Sequence, residues 1–384
     1  MRVSKTGTRF ILFFLLTLHH FSCKRPHEQN ELDLEKLPLD FAEGFEVYQG
    51  NGYKIIKVIK AFPGTHSPFR YLVKENTDLN LEEIEFDAIV QIPVSRVVMT
   101  STTQIPHLEY LDSEAALIGF PNLELISSQS VRKRIGDGKV TDLGSGPQAN
   151  FEMIIDLDPD WIMISTLGDD LQNLELFQQS GFPALINGEY MEQHPLGRAE
   201  WIKFTGALLG KWDKACAVFD KIRSDYEQAT GLIESQQLSK PSILSGVMYK
   251  DIWYVPGADS WGAHLINAAG GNYIFEEQKG TGSAQLSYEY VLEKAQDADF
   301  WIGAADFNNL EEMKNTDSRY SHFKAFQLNQ VYTYTHKKGE TGGVEYFELG
   351  YLRPDLILKD LIKIMYPDLL PGYKPYFYTK LDEK

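Results

Sequence analysis

Residues 151–162 read FEMIIDLDPDWI, and residues 288–302 read YEYVLEKAQDADFWI. Each runs aromatic, Glu, three apolar residues, an acid, a short polar turn, an aspartate and an apolar strand. The second is two residues longer in its turn. The spacing predicts a helix that hands over to a buried strand in both. The two segments fall at similar points of two α/β blocks. A repeated unit of this kind implies two lobes of like construction, and a pair of lobes has a natural cleft between them.

Reading outward, Val94–Thr100 is a strand, Pro106–Leu117 a helix, Leu171–Ser180 a helix and Pro183–Asn187 a strand. Strands that alternate with helical spacing predict βα units on a mostly parallel sheet. Upstream, residues 41–90 read as β structure, with Gln49-Gly50-Asn51-Gly52 as a hairpin signal. Downstream, Trp201, Phe204, Leu208, Trp212, Ala215, Phe219, Ile222 and Tyr226 form one apolar helical face. Gly210 divides it, and the second part, 211–238, is long enough to cross between lobes. After Pro241 the α/β alternation restarts, with strands at 242–248, 251–255, 300–303 and 330–335 and helices at 260–269 and 356–365. The expected fold is therefore α/β: two Rossmann-like lobes with mostly parallel sheets, joined by one long α-helix, plus an N-terminal β-hairpin extension. The expected division is 1–22 signal peptide, 23–40 tether, 41–210 N-terminal lobe, 211–238 bridging helix and 239–384 C-terminal lobe.

Arg2, Lys5 and Arg9 precede the apolar run FILFFLLTL, which is shorter than the ~20 residues that span a bilayer. This is the pattern of a secretory signal peptide. Ser22-Cys23 resembles the end of a lipobox, which makes Cys23 the expected lipidation site; an ordinary cleaved signal is the alternative. The second of the two cysteines, Cys216, lies in a helical pattern and reads as a buried thiol. Without the signal, 34 basic residues face 54 acidic ones, a balance of −20. That sign disfavours nucleic acid and anionic lipid surfaces as partners.

The histidines show no HxH or HExxH spacing, so the zinc-hydrolase signature is missing. Gly144-Ser145-Gly146 lacks the frame of a nucleophile elbow. Gly280-Thr281-Gly282-Ser283 reads as a turn before a helix. An enzyme is the minority reading, and no cofactor is expected. Aromatics are more suggestive. Trp253, Tyr254 and Trp261 lie among Pro256, Gly257 and Asp259, as in a loop at a strand end, and rigid aromatics with a polar handle suit large, partly apolar ligands. Tyr332, Tyr334, Tyr346 and Phe347 form a second group. Ser101, Thr102 and Thr103 end the first core strand, where an open α/β sheet presents ligand contacts.

The segments VSRVVMTSTTQIPHLEYLD, PLGRAEWIKFTGALLG, YVPGADSWGAHLINAAGGNYIF and GTGSAQLSYEYVLEKAQDADFWI resemble the iron-siderophore and vitamin B12 binding proteins of ABC importers, especially the lipoprotein versions of Bacteroidetes. The resemblance covers roughly residues 90–370. It implies a monomeric, lipid-anchored periplasmic protein that passes a metal chelate to an ABC permease dimer with its ATPase. It also implies that Glu152 and Glu289, each in the first turn of its helix, dock on permease arginines. A helix N-terminus and a directional arginine–carboxylate pair both suit that role. In the B12 binders, tryptophans precede the two glutamate helices; here Gly146 and Ser283 hold those positions, which tilts the expected ligand toward a ferric siderophore, a related iron chelate or haem, with cobalamin as the alternative. Arg198 is the candidate cation for such a chelate.

Overall fold

The computed structural model describes residues 34–75, 81, 84–144, 151–166 and 171–383. The signal segment, Cys23 and Gly146 lie outside the described residues. Among these residues the chain forms four sheets.

The N-terminal sheet runs β1 (Glu35–Leu37), β2 (Phe45–Gly50), β3 (Tyr53–Val58), β4 (Phe69–Lys74) and β5 (Ala88–Gln91) in that order. Asn51-Gly52 turns β2 into β3, as the hairpin signal predicts, but β1, β4 and β5 enlarge the hairpin into five strands. Its buried face meets the lobe behind it. Phe45 lies 4.7 Å from the Trp201 ring, and the Ile186 N–H donates to the Tyr71 hydroxyl at 2.9 Å. The expected tether through residue 40 therefore ends sooner. Two buried carboxylates draw residues 40–44 into the fold: Glu200 accepts from the N–H groups of Asp40, Phe41 and Ala42, and Glu192 from those of Glu43 and Gly44.

The first lobe carries β6 (Val97–Met99), α1 (Ile105–Tyr110), β7 (Leu117–Phe120), α2 (Gln129–Gly136), β8 (Thr141–Asp142), α3 (Phe151–Leu157), β9 (Trp161–Ser165), α4 (Gln172–Gln179) and β10 (Ala184–Asn187). Its sheet is parallel, in the order β10-β9-β6-β7-β8. The helix expected over 106–117 stops at Tyr110. Asp112 follows with φ 47°, and Leu117 opens a buried strand that the helical spacing had absorbed.

Next come α5 (Pro195–Glu200), α6 (Ile202–Leu208) and α7 (Trp212–Glu234), with Gly210 between the last two. The 23 residues of α7 give a length of about 35 Å. It packs on α6 of the first lobe and on the last long helix of the second, so it is rather shorter than the bridging helix expected over 211–238. Cys216, on α7, is half-buried rather than fully enclosed.

The second lobe contains β11 (Ser242–Ser245), β12 (Val247–Tyr249), β13 (Ile252–Pro256), α8 (Trp261–Ala268), β14 (Asn272–Tyr273), β15 (Ser283–Ser287), α9 (Tyr288–Ala295), β16 (Phe300–Ile302), α10 (Leu310–Thr316), α11 (Lys324–Gln327), β17 (Val331–Thr333), α12 (Glu345–Leu349), α13 (Pro354–Met365) and β18 (Thr379–Lys380). The main sheet runs β14-β11-β16-β17-β18, with only β18 antiparallel. The repeat seen in the sequence is a repeat of topology. In each lobe the first strand (β6, β11) has the second on one side (β7, β14). The strand after the paired helix (β9, β16) lies on the other side, with the next strand (β10, β17) beyond it.

A small antiparallel sheet, β12-β13-β15, is the second lobe's departure. Gly246 makes it possible. Its φ is +83°, and a Cβ there would sit 1.9 Å from the Tyr254 carbonyl oxygen, so only glycine lets the chain leave β11 and double back. The Gly-rich stretch at 280–283 was expected as a turn into a helix, but Ser283 already pairs with Pro256 as the start of β15.

Trp253 does not face a ligand cleft. It is fully buried on β13, against Trp301, Phe323 and Tyr320 at ring distances of 5.2, 5.2 and 5.8 Å. Its Nε1 donates to the Ser245 carbonyl at 3.1 Å, and Trp301 Nε1 donates to the Gly246 carbonyl at 2.9 Å. The two indoles hold the exit of β11 from behind. Trp253→Ala is expected to cost about 3–5 kcal/mol through the cavity and the freed carbonyl, read as a drop in the denaturant midpoint. Glu200→Ala removes three backbone contacts and leaves the buried Lys203 ammonium, now 2.7 Å from Glu200, unpaired. A loss of about 3–5 kcal/mol and new protease cleavage near residues 38–44 are the expected results.

Candidate functional site

The carboxyl ends of β11 and β16 lie side by side where the strand order reverses, the place at which open α/β sheets hold ligands. There Ser245 Oγ donates to the Ile302 carbonyl at 2.7 Å, and Gly303 follows. Above them opens a cavity of about 450 Å³. Tyr254 and Trp261 enter it from β13 and the start of α8, where the Ser260 hydroxyl caps the helix by accepting from the Ala263 N–H. Tyr334 and Tyr346 stack at 4.1 Å, and Trp261 packs against Tyr346 and Tyr351 at 5.8 and 5.2 Å. Tyr378 closes the far side, and Phe347, half-exposed, lies at the rim. Burial pushes the phenols of Tyr334, Tyr346 and Tyr378 up, so they stay protonated at neutral pH.

Arg198 is the only charged side chain lining this cavity among the described residues. It arrives from α5, whose first turn is fixed by Pro195 and by the His194 ring accepting from the Leu196 N–H. The guanidinium lies 4.4 Å from the Tyr351 ring and 5.3 Å from that of Trp261. Its hydrogen bonds go to neutral carbonyls, from Nε to Glu192 and from Nη2 to Tyr190. The charge is held in place without being cancelled at contact distance. Trp261 Nε1 is buried and has no hydrogen-bond partner within the protein.

Of the sequence candidates, Tyr254, Trp261 and Arg198 therefore share one cavity, and Trp253 stands behind its wall. Ser101, Thr102 and Thr103 do not reach it. Helix α12 of the second lobe packs over the turn that they begin. The Ser101 and Thr103 hydroxyls meet at 2.7 Å, and Thr103 donates to the carboxylate of Glu189. Glu152 and Glu289 are exposed in the first turns of α3 and α9, away from the cavity lining; the Ser287 hydroxyl caps α9 by accepting from Tyr290 N–H. Tyr351, Tyr378 and Ser245 were not singled out from the sequence. Tyrosine is frequent throughout this chain, and nothing local marks the ones that converge.

A second space, of about 560 Å³, lies between the lobes beside α1 and α12. Most of its charged groups are already engaged. Glu348, pushed up to about 7 by burial, accepts from the Ser127 and Ser128 N–H groups at 2.6 and 2.9 Å, and Lys337 pairs with Glu345 at 3.3 Å. Gly343 comes so near the other lobe that a Cβ would meet the Leu125 carbonyl oxygen at 2.1 Å. This side is a strap between lobes, and the tyrosine-lined cavity is the better candidate for a ligand.

Residues 97–337 match the family model described as periplasmic binding protein. An uncharacterized lipoprotein of Methanocaldococcus jannaschii is 28% identical over 301 residues, 76% of this chain and 70% of that protein. Solved structures share the fold. A periplasmic heme binding protein from Pseudomonas aeruginosa aligns with a TM-score of 0.58 at 16% identity, over 76% of this chain and 99% of that one. Ceue of Helicobacter pylori, with Ni(II) bound, aligns with a TM-score of 0.57 at 15% identity, over 74% and 88%. With two like-wound lobes, a helix packed on both and a pocket at the strand ends, this chain belongs to the periplasmic binding protein family.

Proposed function

We propose that this protein is the solute-binding component of an ABC importer, and that it captures an anionic metal chelate with an aromatic or apolar body, a ferric siderophore or haem. The observation that carries this reading is the lining of the cavity: one guanidinium whose hydrogen bonds go to neutral carbonyls, set among buried tyrosines that stay protonated. A desolvated cation between aromatic faces attracts an anion, while the rings match flat apolar surface. The Pseudomonas and Helicobacter proteins support a metal-bearing cargo, since one is described as heme binding and the other holds nickel.

In this reading the chain is exported to the periplasm, anchored through Cys23 and a tether, and works as a monomer of two lobes that close only modestly because α7 is stiff. The lipoprotein names of two Methanocaldococcus jannaschii relatives support the anchor. Glu152 and Glu289, both exposed at helix N-termini, are the proposed contacts with permease arginines.

A thermal-shift panel of ferric siderophores, haem and cobalamin tests the ligand. The true cargo at ~100 times its dissociation constant adds ~2.7 kcal/mol of stability. Arg198→Gln and Trp261→Ala should each weaken it by about 2 kcal/mol or more; no shift with any chelate would sink the reading. Charge reversal at Glu152 and Glu289 is expected to abolish uptake and leave chelate affinity intact. An equal fall in affinity would instead assign both residues to the ligand site.

A further inference from the structure

We propose that residues 337–348 form a clasp that couples the tyrosine-lined cavity to the first lobe: a bound ligand tightens the clasp, and the clasp tightens ligand binding. The inference rests on the reading of that cavity as the ligand site. One end of the segment belongs to the cavity. Helix α12 supplies Tyr346, stacked on Tyr334 with the rings 14° from parallel, and Phe347, half-exposed at the rim. The next residue, Glu348, turns to the other lobe. Its buried carboxylate accepts from the Ser127 and Ser128 N–H groups at 2.6 and 2.9 Å. Consecutive residues of one short helix therefore serve the cavity and the first lobe.

The loop before α12 grips the same first-lobe turn. Lys338 and Val344 form an antiparallel bridge, and the Gly339 N–H donates to the Gly343 carbonyl at 2.8 Å. At the tip of this fold Thr341 Oγ1 donates to the Glu124 carbonyl at 2.7 Å. A Cβ on Gly339 would lie 2.6 Å from Ser127 Cα, as close an approach as that of Gly343 to Leu125. Only glycine at both positions lets the two backbones meet. Gly339, Thr341, Gly343 and Glu348 are not part of the cavity lining. Ordering such a loop costs chain entropy, and glycine loses more of it than any other residue. The first-lobe contacts offset that cost, and a ligand that covers Phe347 and packs on Tyr346 adds to them. Ligand and clasp therefore favour one another, and by linkage the coupling is the same in both directions.

Hydrogen exchange of the protein with and without saturating anilinonaphthalene sulfonate, an aromatic anion, tests the coupling, and fluorescence titration gives the probe's dissociation constant. The amides of Ser127, Ser128 and Gly339 should exchange about five- to tenfold more slowly with the probe bound. Gly343→Ala should remove that protection and raise the dissociation constant about five- to tenfold, although no cavity residue has changed. Thr341→Val, which removes one exposed hydrogen bond, should move both readings the same way by about two- to threefold. It decides the matter alone should Gly343→Ala not fold. If the probe slows exchange around Tyr254 and Trp261 but not at Ser127 and Ser128, the coupling is overturned and the cavity reading stands. The same holds if the folded variants bind the probe as the wild type does. If the probe does not bind, or binds unchanged when Arg198→Gln and Trp261→Ala are combined, the cavity reading fails, and this inference with it.

Discussion

Helix α5, six residues long and buried throughout, is the constraint on which the rest of the structure hangs. Its charged side chains point in opposite directions. Glu200 takes three backbone N–H groups of the N-terminal segment and the Lys203 ammonium. Arg198 crosses toward the second lobe and lines the cavity. A buried carboxylate with four donors is satisfied, and losing any of them would leave a costly charge. Trp201, just past the helix, seals the same junction, with its ring on Phe45 and its Nε1 on Glu192. The segment LGRAEW is thus one device that seats the N-terminal sheet, starts the helical connection between lobes and delivers the cavity's cation.

The two lobes are wound alike but do not share the site equally. At the end of β6, Thr100 Oγ1 bridges to the Met163 carbonyl and the Ser165 N–H, much as Ser245 bridges to Ile302 in the other lobe. In the first lobe the turn that follows is covered by α12. In the second, Gly246 diverts the chain into the small β12-β13-β15 sheet, which lifts Tyr254 clear of the main sheet and leaves room above Ser245. The difference comes from one left-handed backbone position and two indole hydrogen bonds, set into otherwise equivalent topology.

Much of the fold was legible because it rests on periodicity. The 3.6-residue face from Trp201 to Tyr226 is buried nearly throughout, and the FEMIIDLDPDWI and YEYVLEKAQDADFWI units form α3-β9 and α9-β16. The short strand β7 was hidden because Leu117 continues the helical spacing of α1 while lying in a different element. For the site, Tyr254 and Trp261 could be suspected from loop signals and Arg198 only through the family resemblance, but Trp253 could not be told from its neighbour Tyr254. On a strand, adjacent side chains point to opposite faces, and here Trp253 points to the core and Tyr254 to the cavity.

The sequence by itself determined the α/β repeat, the long amphipathic helix and the surplus of acid, since these depend on spacing along the chain and on counts. Only the tertiary structure decided which groups meet. Thr103 and Glu189 are 86 positions apart and share a hydrogen bond, and Arg198 reaches Tyr351 from the other side of the bridging helix. Burial then decides their chemistry, because the energy of a charge depends on the dielectric around it and on which partners lie within a few ångströms. No local spacing carries that information.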